Sequence, residues 1–143
     1  MSLPIREQII QAIADRVGAS RSLETIDAAD LPVTVLVAGE DSVTDDESYD
    51  TTPITLPVTI ARAEHRSGLK GDDWHTAANE LLAELITSAY AGGENLNGLA
   101  DGIDYAGGAT DVLSDGATGV MAQVNLDIRY QIARGNPYTQ EVT

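Results

Sequence analysis

The chain has 143 residues, 43% of them apolar, which provides one hydrophobic core. It carries 23 acids against 8 bases, and a net charge of −15 argues against wrapping nucleic acid or docking on an anionic membrane, since both depend on basic patches. The absence of cysteine excludes disulfides, thiolate metal sites and thiol catalysis.

The first half of the chain predicts one helix and two strands. Apolar residues recur at helical spacing over residues 3–17, where Pro4 suits the first turn and Gly18 suits the end. Alternating apolar residues then predict strands at residues 31–38 and 53–66. The opening segment is too polar and interrupted for an export signal or a membrane span, so we expect neither.

An acidic stretch, GEDSVTDDESYD, lies between these two strands at residues 39–50 and contains six acids and no base. We expect a flexible acidic loop over residues 39–52. Pro57 follows inside the second strand, and because proline has no N–H to donate, that strand is predicted to be an edge there or to face Pro57 away from its neighbour.

The second half begins with a helix that Asp72 or Asp73 caps and that ends at Gly92 and Gly93. Its apolar stripe consists of Trp74, Ala78, Leu81, Leu82, Leu85 and Ala89. A weaker strand is predicted at residues 99–106. The segment that follows, residues 107–119, is rich in glycine and is predicted to be flexible.

The last strand, residues 120–132, alternates apolar and polar side chains more regularly than any other stretch. At ~3.3 Å per residue it would reach ~43 Å, against a diameter of roughly 37 Å for a compact domain of this length. We therefore expect it to bend or to protrude and offer backbone groups to a neighbouring subunit. The order of elements predicts one α+β domain over residues 1–143, with a mainly antiparallel sheet of about four strands and two principal helices.

The usual signatures of catalysis and of metal or cofactor binding do not occur in this sequence. The acidic stretch lacks the ligand spacing of a calcium loop, and His65 and His75 have no cysteine or HExxH pattern to complete a zinc site. Nucleophile-elbow, Walker and dinucleotide patterns do not occur either. We expect no catalytic residue, metal or cofactor, and no enzyme activity. A small calcium- or ligand-binding domain that uses the acidic stretch is the alternative of another class.

Four of the eight bases lie on or beside strands. Arg62 and Arg66 are predicted on the outward face of the second strand and Arg129 on the polar face of the last one, with Arg134 just beyond it. These side chains either form salt bridges between subunits or neutralise acids within their own subunit.

The order of elements resembles the tail terminator (minor tail) proteins of long-tailed bacteriophages over nearly the whole chain. The resemblance is carried by the opening MSLPIREQIIQAIADRV, by LPVTVLVAGED and PITLPVTIARAEH, by the helix DDWHTAANELLAELITSAYAG with LNGLADGIDYAG, and by VMAQVNLDIRYQIARGNPY. Within the last of these, RGNP at residues 134–137 is the most telling piece.

This resemblance implies an α+β virion subunit that forms a ring, usually a hexamer, at the head-proximal end of the tail tube. Such a ring stops tube growth and provides the surface that joins the head. The implied partners are further copies of the chain, the tail tube protein and a head-completion or connector protein, and DNA passes the channel without specific binding. The implied location is the virion tail, after assembly in the host cytoplasm. Another neck or tail-completion protein is the alternative within this class.

In a ring, the acidic stretch gains a candidate role. Asp41, Asp45, Asp46 and Glu47 are predicted to line or approach the channel, where negative charge keeps DNA from adhering. Neutralising all four acids together is then expected to leave folding nearly intact but to slow DNA passage or reduce infectivity.

Overall fold

The computed structural model describes residues 3–21, 32–43, 50–66, 69–113 and 119–141. Within these ranges the chain forms two helices and five strands in the order α1 (Ile5–Val17), β1 (Val33–Ala38), β2 (Ser42–Val43), β3 (Thr51–His65), α2 (Asp73–Tyr90), β4 (Gly102–Leu113) and β5 (Gly119–Ala133). All the strand pairs are antiparallel. The predicted α+β class with a mainly antiparallel sheet is confirmed.

The sheet has the order β1-β3-β5-β4, and the short β2 also pairs with β3. β3 and β5 pair along their whole length, from Thr51 opposite Ala133 to His65 opposite Gly119. Because β5 pairs with β3 on one side and with β4 on the other, its backbone is not a free edge. Of the two alternatives expected for this strand, the protruding one that offers its backbone to a neighbouring subunit was therefore wrong, and the bent one stays a prediction.

Both helices pack on one face of the sheet, and the hydrophobic core lies between the two layers. The buried side chains of the sheet are alternate residues of β3 and β5, together with Thr34 and Leu36 of β1 and Ile103 of β4. The helices contribute Ile9, Ile10 and Ile13 from α1 and Leu81 and Leu85 from α2. Burying each Val, Leu or Ile side chain among them contributes about 1.5–3 kcal/mol, so the period-2 and period-3.6 patterns hold the two layers together.

The ends of the helices follow their local sequence in most respects. α1 ends at Gly18, whose φ of 70° is the left-handed conformation that glycine adopts at little cost. α2 begins after Asp72, as predicted, but the Asp72 side chain forms no capping hydrogen bond. Neither of the two described helices is long and apolar enough to cross a membrane.

Part of the segment predicted to be flexible is regular structure. Residues 107–113 belong to β4, which pairs with β5 through a bulge between Tyr105 and Gly107. Pairing with a long neighbouring strand outweighs the weak strand propensity of glycine here. Residues 114–118 lie outside the described residues.

Pro57 lies in β3, at the gap between β1 and β2. Its carbonyl accepts the Gly39 N–H at 2.8 Å, so its missing N–H also points to this side, just beyond the last β1 pair. β3 is thus a central strand, but on the side of β1 and β2 it has no ladder partner at Pro57. This agrees with the expectation that the strand is an edge at that position. Gly39 approaches so closely that an added Cβ would lie 2.9 Å from Pro57 Cγ.

Candidate functional site

The acids Asp41, Asp50, Asp101 and Asp104, which we call the acidic end, gather where β3 begins and β5 ends. The chain segments there are held together by backbone hydrogen bonds. The Arg134 N–H donates to the Asp50 carbonyl at 2.9 Å, and the Asp101 N–H donates to the Arg129 carbonyl at 2.6 Å. Acids that are distant in the sequence thus share one end of the sheet.

Asp41 anchors the first part of the acidic stretch to the body of the domain. Its Oδ1 accepts a hydrogen bond from Arg6 Nε at 3.2 Å, and its Oδ2 accepts one from the Tyr130 hydroxyl at 3.2 Å. Arg6 also donates from Nη2 to the Gly39 carbonyl at 2.6 Å. Asp41 therefore ties the segment between β1 and β2 to α1 and β5, which is a structural role that the channel hypothesis did not include.

The Tyr130 hydroxyl is held in its neutral form. The side chain is 2% exposed, and burial, followed by the neighbouring Asp41 carboxylate, raises the pKa of Tyr130 well above its ordinary value. A neutral hydroxyl can donate to the Asp41 carboxylate, whereas a phenolate would repel it. The hydrogen bond and the protonation state support each other.

Arg129 lies on the open face at the acidic end and is surrounded by acids. Its Nε donates to Asp104 Oδ2 at 2.7 Å, and this hydrogen bond raises the pKa of the guanidinium, with further contributions from the charges of Asp104, Asp101 and Glu94. Its guanidinium lies against Gly102, where a Cβ would collide with it. The Arg129 and Asp104 side chains are 49% and 55% exposed, so this pair stabilises the fold only slightly.

A cleft of about 340 Å³ opens beside Arg129. It is lined by Pro53, Ile54, Thr55, Asp101, Arg129, Tyr130 and Gln131. Gln131 is held on both sides, since its Nε2 donates to Asp101 Oδ2 at 2.9 Å and its Oε1 accepts from Thr51 Oγ1 at 2.8 Å. The lining supplies hydrogen-bonding and ionic groups for a polar contact, and within the described ranges no cluster of residues that could hold a metal ion occurs.

Arg62 and Arg66 lie at the opposite end of the sheet, and the prediction that Arg62 lies on the outward face of its strand was wrong. Arg62 stands opposite the buried residues Thr34 and Ala122, on the face that the helices cover. The alternation of β3 simply continues past the end of the core, where long side chains still reach water. Arg62 Nε and Arg66 Nη2 contact Glu64 at 2.7 Å and 2.9 Å, while Arg66 Nε is buried without a hydrogen-bond partner.

The predicted site residues therefore divide into several groups. Arg129 lies on the polar, open face as predicted, and Arg62, Arg66 and Arg129 contact acids of their own chain, which was the second of the two alternatives. Arg134 is exposed and follows the end of β5. The acids Asp45, Asp46 and Glu47 lie outside the described residues. Contacts between subunits stay a prediction for the four arginines.

Two residues that contact the acidic end were missed from the sequence. Arg6 was treated only as part of an amphipathic helix, and Tyr130 only as one more apolar residue of an alternating strand. A hydrogen-bond partner for Tyr130 could have been predicted, because a tyrosine at a position that is predicted to be buried requires such a partner for its hydroxyl. Asp41, 89 residues earlier, could not be chosen as that partner without the sheet register.

Comparison with known proteins gives limited information about this chain. No protein-family model matches it, and no curated protein matches it. Among solved structures, a chain described as "Virion of native gene transfer agent (GTA) particle" aligns with 91% of this chain and 95% of its own length, at 11% identity and a TM-score of 0.39.

Proposed function

We propose that the chain is a virion structural protein that forms a ring, hexameric by the sequence resemblance, on the head-proximal end of a phage tail tube. The ring stops addition of further tube subunits and offers the surface that joins the head. Its partners are other copies of the chain, the tube protein and a head-completion or connector protein, and it performs no catalysis.

The observation that carries the proposal is the presence of two chemically different surfaces on one small subunit. The acidic end gathers Asp41, Asp50, Asp101 and Asp104, whereas the middle of the open sheet face is uncharged. A ring subunit needs such a difference, because the surface that meets neighbouring copies and the surface that meets other proteins have to be distinct. The α+β fold is also the one that the sequence resemblance implies.

The acid excess is consistent with a channel that DNA crosses. A net charge of −15 on each subunit repels the phosphate backbone, so DNA passes without being held. Specific DNA binding would instead require basic side chains that are free to contact phosphates. In the described part of the chain Arg6, Arg62, Arg66 and Arg129 all contact carboxylates.

Calcium binding through Asp41 is disfavoured by the contacts of its side chain. Both of its carboxylate oxygens already accept hydrogen bonds, from Arg6 and from Tyr130. An ion at Asp41 would have to share these oxygens with the Arg6 guanidinium, whose positive charge repels a cation at close range. Another neck or tail-completion protein is distinguished from a terminator by its location on the particle.

The test is electron microscopy of the purified protein with polymerising tail tubes. Protein that is present during polymerisation is expected to shorten the tubes and to appear as a ring on one end of each, and heat-denatured protein is the control. Gold-labelled protein should mark the head-proximal end of tails. A protein that ignores tubes, or a label on the head connector with none at the tube end, would refute the terminator function.

A further inference from the structure

The middle of the open sheet face carries no charge. We call this surface the neutral face and define it as the outward-pointing residues of 33–37 in β1, 59–63 in β3 and 121–125 in β5. The register places Val35, Ala61 and Gln123 side by side in its middle row. Each of its side chains is exposed or partly exposed, and Val37 is 45% exposed.

The neutral face contrasts with the rest of the described surface. The exposed side of α1 carries Asp15, and that of α2 carries Glu80 and Glu84. The ends of the sheet carry the arginine and carboxylate groups described above. In a chain with 23 acids, an uncharged area over three adjacent strands is the exception.

We infer that the neutral face is the contact surface between copies of this chain. Two copies with a charge of −15 each repel one another wherever acids would meet at close range. A basic partner would be attracted to the acidic end, whereas a partner with the same charge can approach closely only through an uncharged surface. A second copy of the chain is such a partner, and the inference rests on the ring proposed above, for which it names one side of the contact: in a ring this face meets a different patch of the neighbouring copy.

The dimensions of the sheet agree with such a contact. At ~3.4 Å per residue and ~4.8 Å between strands, the open face of β1, β3, β4 and β5 has a plan area of about 780 Å². A stable interface buries ~800 Å² on each partner. The neutral face occupies roughly a third of this area, so it can supply only the centre of such an interface, and the polar groups that border it, such as Asp111 and Asp127, form the solvated rim.

The test compares two variants that add the same single charge. Gln123→Glu places an acid in the middle of the neutral face, and Asn79→Asp places one on the exposed side of α2. Self-association is measured by light scattering and mass photometry, alone and on tail tubes, with circular dichroism as the check on folding. We expect Gln123→Glu to weaken self-association about tenfold or more, because it buries an unpaired carboxylate, and Asn79→Asp to leave it unchanged. Val35→Glu provides a second charge in the same row.

The salt dependence of self-association provides a second, independent test. Raising NaCl from about 0.1 M to about 1 M shortens the Debye length from ~10 Å to ~3 Å, so association of the wild-type chain through the neutral face should become tighter. Three outcomes would overturn the inference. The association of the wild-type chain weakens with salt, the Gln123→Glu variant associates like the wild type, or the wild-type chain stays monomeric even on tubes. A Gln123→Glu variant that keeps its stoichiometry and loses tube binding would overturn it as well, since the face would then contact the tube protein.

The two proposals fail in different ways. A wild-type chain that self-associates through the neutral face and ignores tubes supports the inference and refutes the proposed function. A chain that caps tubes while Gln123→Glu associates normally supports the proposed function and refutes the inference.

Discussion

The Asp41–Tyr130 hydrogen bond allows a direct test of whether the start of the acidic stretch is a solvated loop or part of the fold. We consider Tyr130→Phe, Asp41→Ala and the double variant, with Glu40→Ala as the control. Glu40 is an exposed acid adjacent to Asp41 in the same stretch. If both acids only supplied charge to a channel, their removal would affect stability equally little.

The expected magnitudes follow from burial and geometry. A hydrogen bond to a charged group contributes ~1.5–3 kcal/mol. The Asp41–Tyr130 contact is long, at 3.2 Å, and the Asp41 side chain is 31% exposed, which favours the lower end. Tyr130→Phe should therefore cost about 1.5 kcal/mol and lower Tm by roughly 5 °C. Asp41→Ala should cost about 2 kcal/mol, because it leaves the buried hydroxyl unpaired as well as removing the partner of Arg6.

The double variant separates a shared interaction from two independent effects. If Asp41 and Tyr130 act through one hydrogen bond, the double variant should cost about 1 kcal/mol less than the sum of the single ones. Urea denaturation followed by circular dichroism measures each free energy of unfolding, with an unchanged slope as the check on two-state behaviour. Additive losses, or an Asp41→Ala loss as small as that of Glu40→Ala (under about 0.5 kcal/mol), would refute the role of Asp41 as an anchor.

Three further predictions concern other parts of the fold. Gly39→Ala should cost about 1–3 kcal/mol because its Cβ would lie 2.9 Å from Pro57 Cγ, and Pro57→Ala in the same chain should restore part of the loss in urea denaturation. Leu126→Ala, at a fully buried position of β5, should cost about 2–5 kcal/mol, whereas Gln123→Ala on the open face of the same strand should cost under about 0.5 kcal/mol. Because folding raises the pKa of Tyr130, its neutral hydroxyl contributes fully to the free energy of unfolding below pH ~10, and this contribution is lost as the pH rises through the folded-state pKa. The stability of the wild type should therefore fall in alkaline titrations. Tyr130→Phe should show a smaller fall.

Local patterns were sufficient to predict most of the elements. The helix stripes led to α1 and α2, and alternation led to β1, β3 and β5, because amphipathic periodicity records which side of an element faces the core. Even the position of Pro57 was interpreted correctly from the missing N–H. Periodicity and the missing N–H of a proline can both be recognised within a single segment of the sequence.

Pairing between distant segments could not be predicted in this way. β4 extends through Gly107 and Gly108 because β5 lies beside it, and the short β2 exists only through its pairing with β3. The outward placement of Arg62 failed for a related reason, since charge was used to assign its face when the alternation of β3 already placed it on the core side. The anchor at Asp41 depends on the same register, which brings Ser42 opposite Thr55 and Ile54 opposite Tyr130.

The distribution of charge separates the two kinds of contact that the proposed ring requires. Arg6, Arg62, Arg66 and Arg129 all contact carboxylates of their own chain, so these bases do little to neutralise a neighbouring copy. Contacts between copies then work against electrostatic repulsion and should strengthen with salt, whereas docking of a basic partner on the acidic end gains from attraction and should weaken with salt. Ring formation and docking to a basic partner should therefore respond to ionic strength in opposite directions. High salt should favour free rings, and low salt should favour binding of single subunits to that partner.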